Sequence, residues 1–313
     1  MRLAYVFPGQ GAQYVGMGVE MAEAHPESRA LFERASQVLG MDLLELCARG
    51  PADLLQQTAN TQPAILTTSL ACLVALRPHL PPPAYVAGLS LGEYTALVAA
   101  GALSFEDAVR VVRLRGIFMQ EAAAGREVAM AAILNLDAEA VEEICQKAAK
   151  VGVCEVANYN GPDQVVVAGD RTAVEEAIRL ARAQGARRAV PLAVSAPFHT
   201  SLMRPAAERL AAVLEEVPIR DPEVPVIANV TARPVQRGDE IRRLLVEQVA
   251  RPVRWAQSVA WMSAQGVDTF VECGPGRVLS GLIRRQVPGA LALSVEDRAS
   301  LAAALEVVEA LDG

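Results

Sequence analysis

The segment YVAGLSLG at residues 85–92 joins a short apolar strand pattern to a G-x-S-x-G motif. A helical pattern follows it directly. A serine between two glycines at such a junction is typical of a nucleophile elbow, in which small flanking residues permit a sharp turn that exposes the hydroxyl. An ordinary packed strand-to-helix turn is the alternative interpretation. The segment predicts an α/β fold with Ser90 as the candidate nucleophile.

The sequence on both sides of this segment alternates between strand and helix patterns. Strands are predicted at Leu3–Phe7, near Val226–Asn229 and at Thr269–Val271, with helices between them. Such alternation is typical of α/β proteins, whose strands form a mainly parallel sheet. We therefore predict an α/β-hydrolase-like core made of residues 1–125 and 193–313.

The pattern changes between Arg126 and Leu192. There the predicted order is a strand, a helix, two strands, a helix and a strand, with bounds Val128–Leu134, Ala138–Lys150, Val153–Ala157, Gln164–Gly169, Thr172–Gln184 and Ala186–Leu192. This β-α-β-β-α-β order is that of a ferredoxin-like unit. We expect residues 126–192 to form a ferredoxin-like (βαββαβ) subdomain inserted into the core.

The composition excludes several classes of protein. With 52% hydrophobic and 21% charged residues, the 313-residue chain can bury a large core. Its net charge of −7 argues against non-specific binding of nucleic acid. The five cysteines have no C-x-x-C spacing, so neither a disulfide framework nor a zinc site is predicted, and a reducing cytoplasm is the expected compartment. No uninterrupted apolar run approaches 18 residues, so we expect no membrane association.

A nucleophilic serine needs a base, and the chain has only three histidines. His25 and His79 lie beside prolines in polar surroundings, which favours a solvated surface position. His199 follows a buried strand pattern and precedes a helix, the kind of position at which α/β folds assemble sites. His199 is therefore the candidate general base. The acidic residues between Ser90 and His199 fit a hydrolase triad poorly, so a Ser-His dyad oriented by a carbonyl oxygen is expected.

Arg115 lies on a largely apolar helix face. A desolvated guanidinium suits an anionic partner such as a carboxylate-bearing acyl group, whereas a surface arginine is the simpler interpretation for Arg113.

The turn Gly9-Gln10-Gly11 matches neither a dinucleotide-binding fingerprint nor a Walker loop. It could instead supply one N–H of an oxyanion hole, with Leu91 supplying the other.

Seven separated motifs together resemble the malonyl-CoA:acyl carrier protein transacylases. The resemblance runs from Leu3 to about Leu282 and rests on FPGQG at 7–11, TQPA at 61–64, GLSLGEY at 88–94, RGIFM at 115–119, NYN at 158–160, PFH at 197–199 and ECGPG at 272–276. It implies a stand-alone acyltransferase of fatty acid synthesis. It also implies malonyl-CoA as substrate, an acidic phosphopantetheinylated acyl carrier protein as partner, and no bound metal or redox cofactor.

The resemblance assigns a role to each site residue. Ser90 would carry the malonyl group, His199 would activate Ser90, and a carbonyl at Gln248 would orient His199. Arg115 would bind the free malonyl carboxylate. The resemblance also implies that the backbone N–H groups of Gln10 and Leu91 would stabilise the oxyanion, and that Gln62 would line the pocket.

One position departs from the family pattern. Leu89 stands where the family often has histidine, and leucine cannot make the hydrogen bond that histidine makes. Leu91 and Phe198 resemble malonyl-selective rather than methylmalonyl-selective members.

Several alternatives stay open on the sequence alone. A serine esterase or thioesterase would use the same dyad but pass the acyl group to water. A carrier-protein-binding module without turnover and the supply of malonyl units to a polyketide pathway are further alternatives. We expect a monomer, and we expect Arg187 and Arg188 to form the basic patch that docks the carrier protein.

Overall fold

A computed structural model describes residues 1–312 and contains two β-sheets surrounded by helices. The strands are β1 (Leu3–Phe7), β2 (Tyr85–Gly88), β3 (Val128–Leu134), β4 (Cys154–Gly161), β5 (Gln164–Asp170), β6 (Arg188–Pro191), β7 (Val226–Ala228), β8 (Arg233–Val235), β9 (Thr269–Cys273) and β10 (Leu291–Val295).

The helices occupy most of the remaining chain. They are α1 (Val19–Ala24), α2 (Pro26–Leu39), α3 (Leu43–Arg49), α4 (Ala52–Gln56), α5 (Thr58–Leu76), α6 (Leu91–Ala99), α7 (Phe105–Ala123), α8 (Ala138–Ala148), α9 (Arg171–Ala183), α10 (Arg204–Glu215), α11 (Gly238–Val249), α12 (Trp255–Ala264), α13 (Val278–Gln286) and α14 (Arg298–Asp312). Short 3-10 helices span Arg77–His79 and Ser201–Met203.

The first sheet has six strands in the order β10-β9-β1-β2-β7-β8. Its strands are parallel except for the β7–β8 pair. Strand β8 was not predicted; it contains Pro234 and lies at the sheet edge, where a residue without an N–H is tolerated. Strands β1 and β2 are neighbours, so the turns that follow Phe7 and Gly88 lie side by side. The candidate site therefore forms at the carboxyl ends of two adjacent parallel strands.

The second sheet has four antiparallel strands in the order β4-β5-β3-β6. Helices α8 and α9 cover one face of it, which gives the arrangement of a ferredoxin-like unit. Strand β4 continues past the predicted end at Ala157 to Gly161, because β-bulges at Val156/Asn158 and Tyr159/Gly161 keep this asparagine- and glycine-containing segment paired with β5. The predicted α/β fold with a mainly parallel sheet and a ferredoxin-like unit is confirmed.

Helix α5 is the central helix of the core. The stretch Thr58–His79 is long and apolar enough to span a membrane, but 94% of its most apolar window is buried within the protein. It packs closely against α7 at Gly116, where an added Cβ would lie 2.7 Å from the Cα of Ala59. This close approach sets the position of α7, the helix that carries Arg115.

The α5–α7 contact can be tested by two glycine-to-alanine changes. Gly116→Ala should lower the free energy of unfolding by roughly 1–3 kcal/mol because the new methyl group meets backbone atoms. Gly281→Ala, in α13, has no atom within 4 Å of the new Cβ and should raise the free energy of unfolding by about 0.5–1 kcal/mol through helix propensity alone. Urea denaturation of both variants checks this, and equal effects would contradict the packing argument.

Candidate active site

Ser90 lies at the sharp turn between β2 and α6. Its backbone has φ 54° and ψ −108°, a conformation that non-glycine residues rarely adopt. The glycines on either side are required by close packing, since a Cβ at Gly88 would lie 2.0 Å from the carbonyl carbon of Gly92, and one at Gly92 would lie 2.2 Å from the carbonyl oxygen of Phe7. The residue after Ser90, Leu91, begins α6, and the first N–H groups of a helix have no intrahelical acceptor. The turn therefore has the geometry of a nucleophile elbow.

His199 is in direct contact with this serine. Its Nε2 is 2.7 Å from Ser90 Oγ, and its Nδ1 is 2.8 Å from the carbonyl oxygen of Gln248. A carbonyl oxygen can only accept, so Nδ1 carries the proton and Nε2 is free to accept the serine proton. The imidazole is 3% exposed, and burial followed by the positive charge of Arg115 lowers the pKa of His199 to about 3. His199 is therefore in its neutral, basic form at neutral pH.

The inserted unit helps to hold the loop that carries His199. The carboxylate of Glu155, in β4, accepts hydrogen bonds from the backbone N–H of Ser201, at 2.7 Å, and from the hydroxyl of Ser201. His199 itself has φ 61°. The contact thus joins the second sheet to the strained loop that carries His199. The other two histidines lie elsewhere: His25 is half-buried at the start of α2, and His79 is exposed.

Arg115 is buried next to the nucleophile and is 2% exposed. Its Nη2 donates to Ser90 Oγ at 3.1 Å and to Gln248 Oε1 at 3.0 Å, and its Nη1 donates to Gln62 Oε1 at 2.8 Å. Burial lowers the pKa of Arg115, but a guanidinium remains protonated in proteins. None of the ion pairs within residues 1–312 involves Arg115, and its Nε has no hydrogen-bond partner there. The site thus contains a buried cation without a paired anion.

Arg113 has a different role. It is half-buried, and its Nη1 donates to the carbonyl oxygen of Ala59 at 3.0 Å and to the side chain of Asn60. Arg113 thus remains partly exposed, and its guanidinium also joins α7 to the first turn of α5.

A cavity of about 730 Å³ opens onto Ser90 between the core and the second sheet. Gln62 lines it, as expected, Gln10 lines it as well, and Leu89 forms part of its apolar wall. The side-chain amide of Gln10 donates to Thr58 Oγ1 at 3.1 Å, which joins the loop after β1 to the start of α5. The remaining lining residues are Gly11, Gln13, Gln56, Ser90, Arg115, Met119, Met130, Asn158, Asn160, Val166, Leu192, Ala193, Val194, Ser195, Phe198 and His199. The structure therefore brings Ser90, His199, Arg115, Gln62 and Gln10 to one cavity.

Two residues of the site had no role assigned from the sequence. Glu93 and Asn229 are buried below Ser90, and the Oδ1 of Asn229 accepts the backbone N–H of Ser90 at 2.7 Å. Glu93 Oε2 accepts from the N–H of Asn229 at 3.1 Å and from Gln248 Nε2 at 2.8 Å. Burial raises the pKa of Glu93 to about 7. A carboxylate in the first turn of an otherwise apolar helix, and an amide just past a buried strand, were the available signals.

Comparison with known proteins agrees with this geometry. The acyl transferase domain model matches residues 4–300. The chain belongs to the acyl transferase family. Within this family it is 46% identical over 309 residues to the malonyl CoA-acyl carrier protein transacylase of Bacillus subtilis, an alignment that covers 98% of both proteins.

Two solved acyl transferase structures are similar over nearly the whole chain. The acyl carrier protein S-malonyltransferase of Vibrio cholerae superposes with a TM-score of 0.94 at 45% identity, covering 97% of this chain and all of that one. A malonyl-transacylase solved in complex with a type II polyketide synthase acyl carrier protein superposes with a TM-score of 0.95 at 45% identity. The superposition covers 98% of this chain and 100% of that one.

The low pKa of His199 predicts an unusual pH profile. His199 stays neutral until the pH falls far below 6.5. The rate at which a neutral fluorophosphonate labels Ser90 should therefore show no acid limb near pH 6.5, that is, no decrease as the pH is lowered through this value. Arg115→Gln removes a positive charge that lowers this pKa, so its acid limb should move to higher pH. Labelling rates between pH 4.5 and 8 measure both effects.

Glu93→Gln is the control for that profile, because the Glu93 carboxyl titrates near pH 7 in the wild type. A limb near pH 6.5 that persists in Glu93→Gln would contradict the assignment of a lowered pKa to His199.

Proposed function

We propose that this chain moves a malonyl group from malonyl-CoA to the phosphopantetheine thiol of acyl carrier protein, through a malonyl ester on Ser90, in the cytoplasmic synthesis of fatty acids. The observation that supports it most directly is the buried, unpaired guanidinium of Arg115, 3.1 Å from the nucleophile. A neutral-acyl esterase gains nothing from such a cation. A malonyl group presents a carboxylate close to its thioester, so Arg115 can bind it while Ser90 attacks.

The first half-reaction forms the acyl-enzyme. His199 Nε2 accepts the proton of Ser90 Oγ as the oxygen attacks the thioester carbonyl. The N–H groups of Leu91 and Gln10 stabilise the oxyanion of the tetrahedral intermediate. When the intermediate collapses, the carbon–sulfur bond breaks and His199 returns the proton to the thiolate of coenzyme A. The malonyl group then remains on Ser90 as an ester.

The second half-reaction runs the same steps with a different thiol. The phosphopantetheine thiol gives its proton to His199 and attacks the malonyl ester, and the ester bond to Ser90 Oγ breaks. His199 then returns the proton to Ser90. The carrier thiol must enter the cavity that coenzyme A has left, which predicts ping-pong kinetics.

Arg115 should determine the preference for a carboxylate. In Arg115→Gln, kcat/KM for malonyl-CoA should fall roughly 10- to 150-fold more than kcat/KM for acetyl-CoA, because one charge-assisted contact of about 1.5–3 kcal/mol is lost. Steady-state transfer to acyl carrier protein measures both values.

Arg113→Gln is the matched control, because it removes a guanidinium from the same helix outside the cavity. It should lower stability and leave the malonyl-to-acetyl ratio unchanged. An equal decrease in the malonyl-to-acetyl ratio of kcat/KM in both variants would indicate damage to α7 rather than removal of a carboxylate contact. Hydrolysis that outpaces transfer in the wild type would favour the thioesterase alternative.

We further propose that the carrier protein docks beside β6. Arg187 and Arg188 are exposed, and none of the ion pairs within residues 1–312 involves them. Arg188 and Val190 share a face of β6 because side chains alternate along a strand, and Leu192, two residues further, lines the cavity. Val190 and Leu192 are 43% and 38% exposed. Arg188, Val190 and Leu192 thus offer basic and apolar contacts to an acidic partner beside the cavity that contains Ser90.

Removing both arginines tests the docking surface. Arg187→Ala/Arg188→Ala should lower kcat/KM for acyl carrier protein about threefold to tenfold at low salt while formation of the acyl-enzyme from malonyl-CoA continues at the wild-type rate. Arg179→Ala, which removes an exposed arginine paired with Glu176 on α9, is the control. Equal losses in acylation and in carrier transfer would contradict this surface.

A further inference from the structure

The backbone of Ser90 is held by two side chains. The Oδ1 of Asn229 accepts the N–H of Ser90 at 2.7 Å, and Gln248 Nε2 donates to the carbonyl oxygen of Ser90 at 3.0 Å. Asn229 Nδ2 also donates to the carbonyl oxygen of Gly88 at 2.7 Å. Both backbone polar groups of Ser90, a residue with positive φ, are thus bound by side chains from distant parts of the chain, the residue that follows β7 and helix α11.

A single carboxylate oxygen connects these two side chains. Glu93 Oε2 accepts from Gln248 Nε2 at 2.8 Å and from the backbone N–H of Asn229 at 3.1 Å. The carboxylate, the amide of Gln248 and Asn229 are 3%, 0% and 1% exposed. Burial of a carboxylate is costly unless it is hydrogen-bonded, and these two contacts compensate for part of that cost.

Glu93 also fixes which way the Gln248 amide points. Its Nε2 faces three oxygens, those of Glu93, Ser90 and Asn229, and its Oε1 faces Arg115. A flipped amide would place an oxygen against three acceptors and an NH₂ against a guanidinium, so the observed orientation is strongly favoured. The same residue offers its backbone carbonyl to His199. Gln248 therefore connects Ser90, His199 and Arg115, and Glu93 orients it.

We propose that Glu93, acting through Asn229 and Gln248, is a positioning residue that holds the strained backbone of Ser90 and thereby the nucleophile against His199. This proposal rests on the proposed role of Ser90 as the acylated residue. Glu93 does not touch the acyl group, so its removal should affect kcat rather than KM. Arg115 keeps its contact with Gln62 in the absence of Glu93, which preserves carboxylate binding.

The test compares three variants. Glu93→Met has similar length and no carboxylate, Glu93→Gln keeps an oxygen that can accept both hydrogen bonds, and Asn229→Ala removes the contact with the Ser90 N–H. Each is assayed for malonyl transfer and for Ser90 labelling by a neutral fluorophosphonate, which needs the nucleophile but not the carboxylate site. Thermal unfolding gives the folded fraction of each.

Glu93→Met should lower kcat and the labelling rate by a similar factor, on the order of 100-fold, because small displacements of a nucleophile are costly. Its KM for malonyl-CoA should change much less. Glu93→Gln should recover most of both rates. Asn229→Ala should resemble Glu93→Met, and the double variant should be little worse than either single variant, as expected for residues that act as one unit.

Glu272 supplies the matched control. It is a buried carboxylate in the same core, accepts from the N–H groups of Leu279 and Ser280, and caps α13 without lining the cavity. Glu272→Gln and Glu272→Met should lower stability but leave the labelling rate of the folded protein unchanged.

Several outcomes would overturn the proposal. They are wild-type labelling in folded Glu93→Met, a loss confined to KM, an equal loss in Glu93→Gln, or an equal loss of labelling in folded Glu272→Met. If Glu93→Met does not fold, Asn229→Ala and Glu93→Gln still decide the question by the same criteria. Wild-type protein that is labelled but transfers no malonyl group would instead refute the proposed function, and the labelling series would still test the role of Glu93.

Discussion

The conformation of Ser90 is the constraint on which the rest of this site depends. A positive φ at a non-glycine residue costs on the order of 1–3 kcal/mol and persists only where the surrounding structure holds it. Here the adjacent parallel strands β1 and β2 bring the two turns together, and the glycines at 88 and 92 allow their backbones to touch. The result is a hydroxyl directed into the cavity at the start of a helix.

The placement of charge follows from that turn. Arg115 brings one positive charge into the buried site, where it donates to neutral oxygens and adds to the effect of burial in lowering the pKa of His199. His199 is therefore neutral in the resting protein, and its Nε2 is available to accept the serine proton. The nearby carboxylate of Glu93 offsets part of the charge without pairing with Arg115, so in the proposed function the guanidinium can bind a substrate carboxylate. In the proposed function, Arg115 therefore contributes both to catalysis and to substrate specificity.

The sequence predicted the parts of this site that short motifs encode. Ser90 follows from its glycines, His199 from the scarcity of histidines, and the second sheet from the order of its elements. Sequence reasoning could not assign Glu93 or Asn229 a role, because their contacts exist only where α6, the end of β7 and α11 meet. It also could not show that Arg113 contacts α5, since helix periodicity does not reveal that α5 begins beside that face of α7. The bulged end of β4 was missed because asparagine and glycine have low strand propensity.

The central claim is that Ser90 holds a malonyl group as a covalent ester. Intact-protein mass spectrometry after mixing with malonyl-CoA, followed by peptide mapping, tests it most directly. The account predicts a malonyl adduct on the peptide that contains Ser90, absent from Ser90→Ala, and discharged when acyl carrier protein with its phosphopantetheine thiol is added. An adduct on another residue, or release of coenzyme A with no transfer to the carrier, would contradict it.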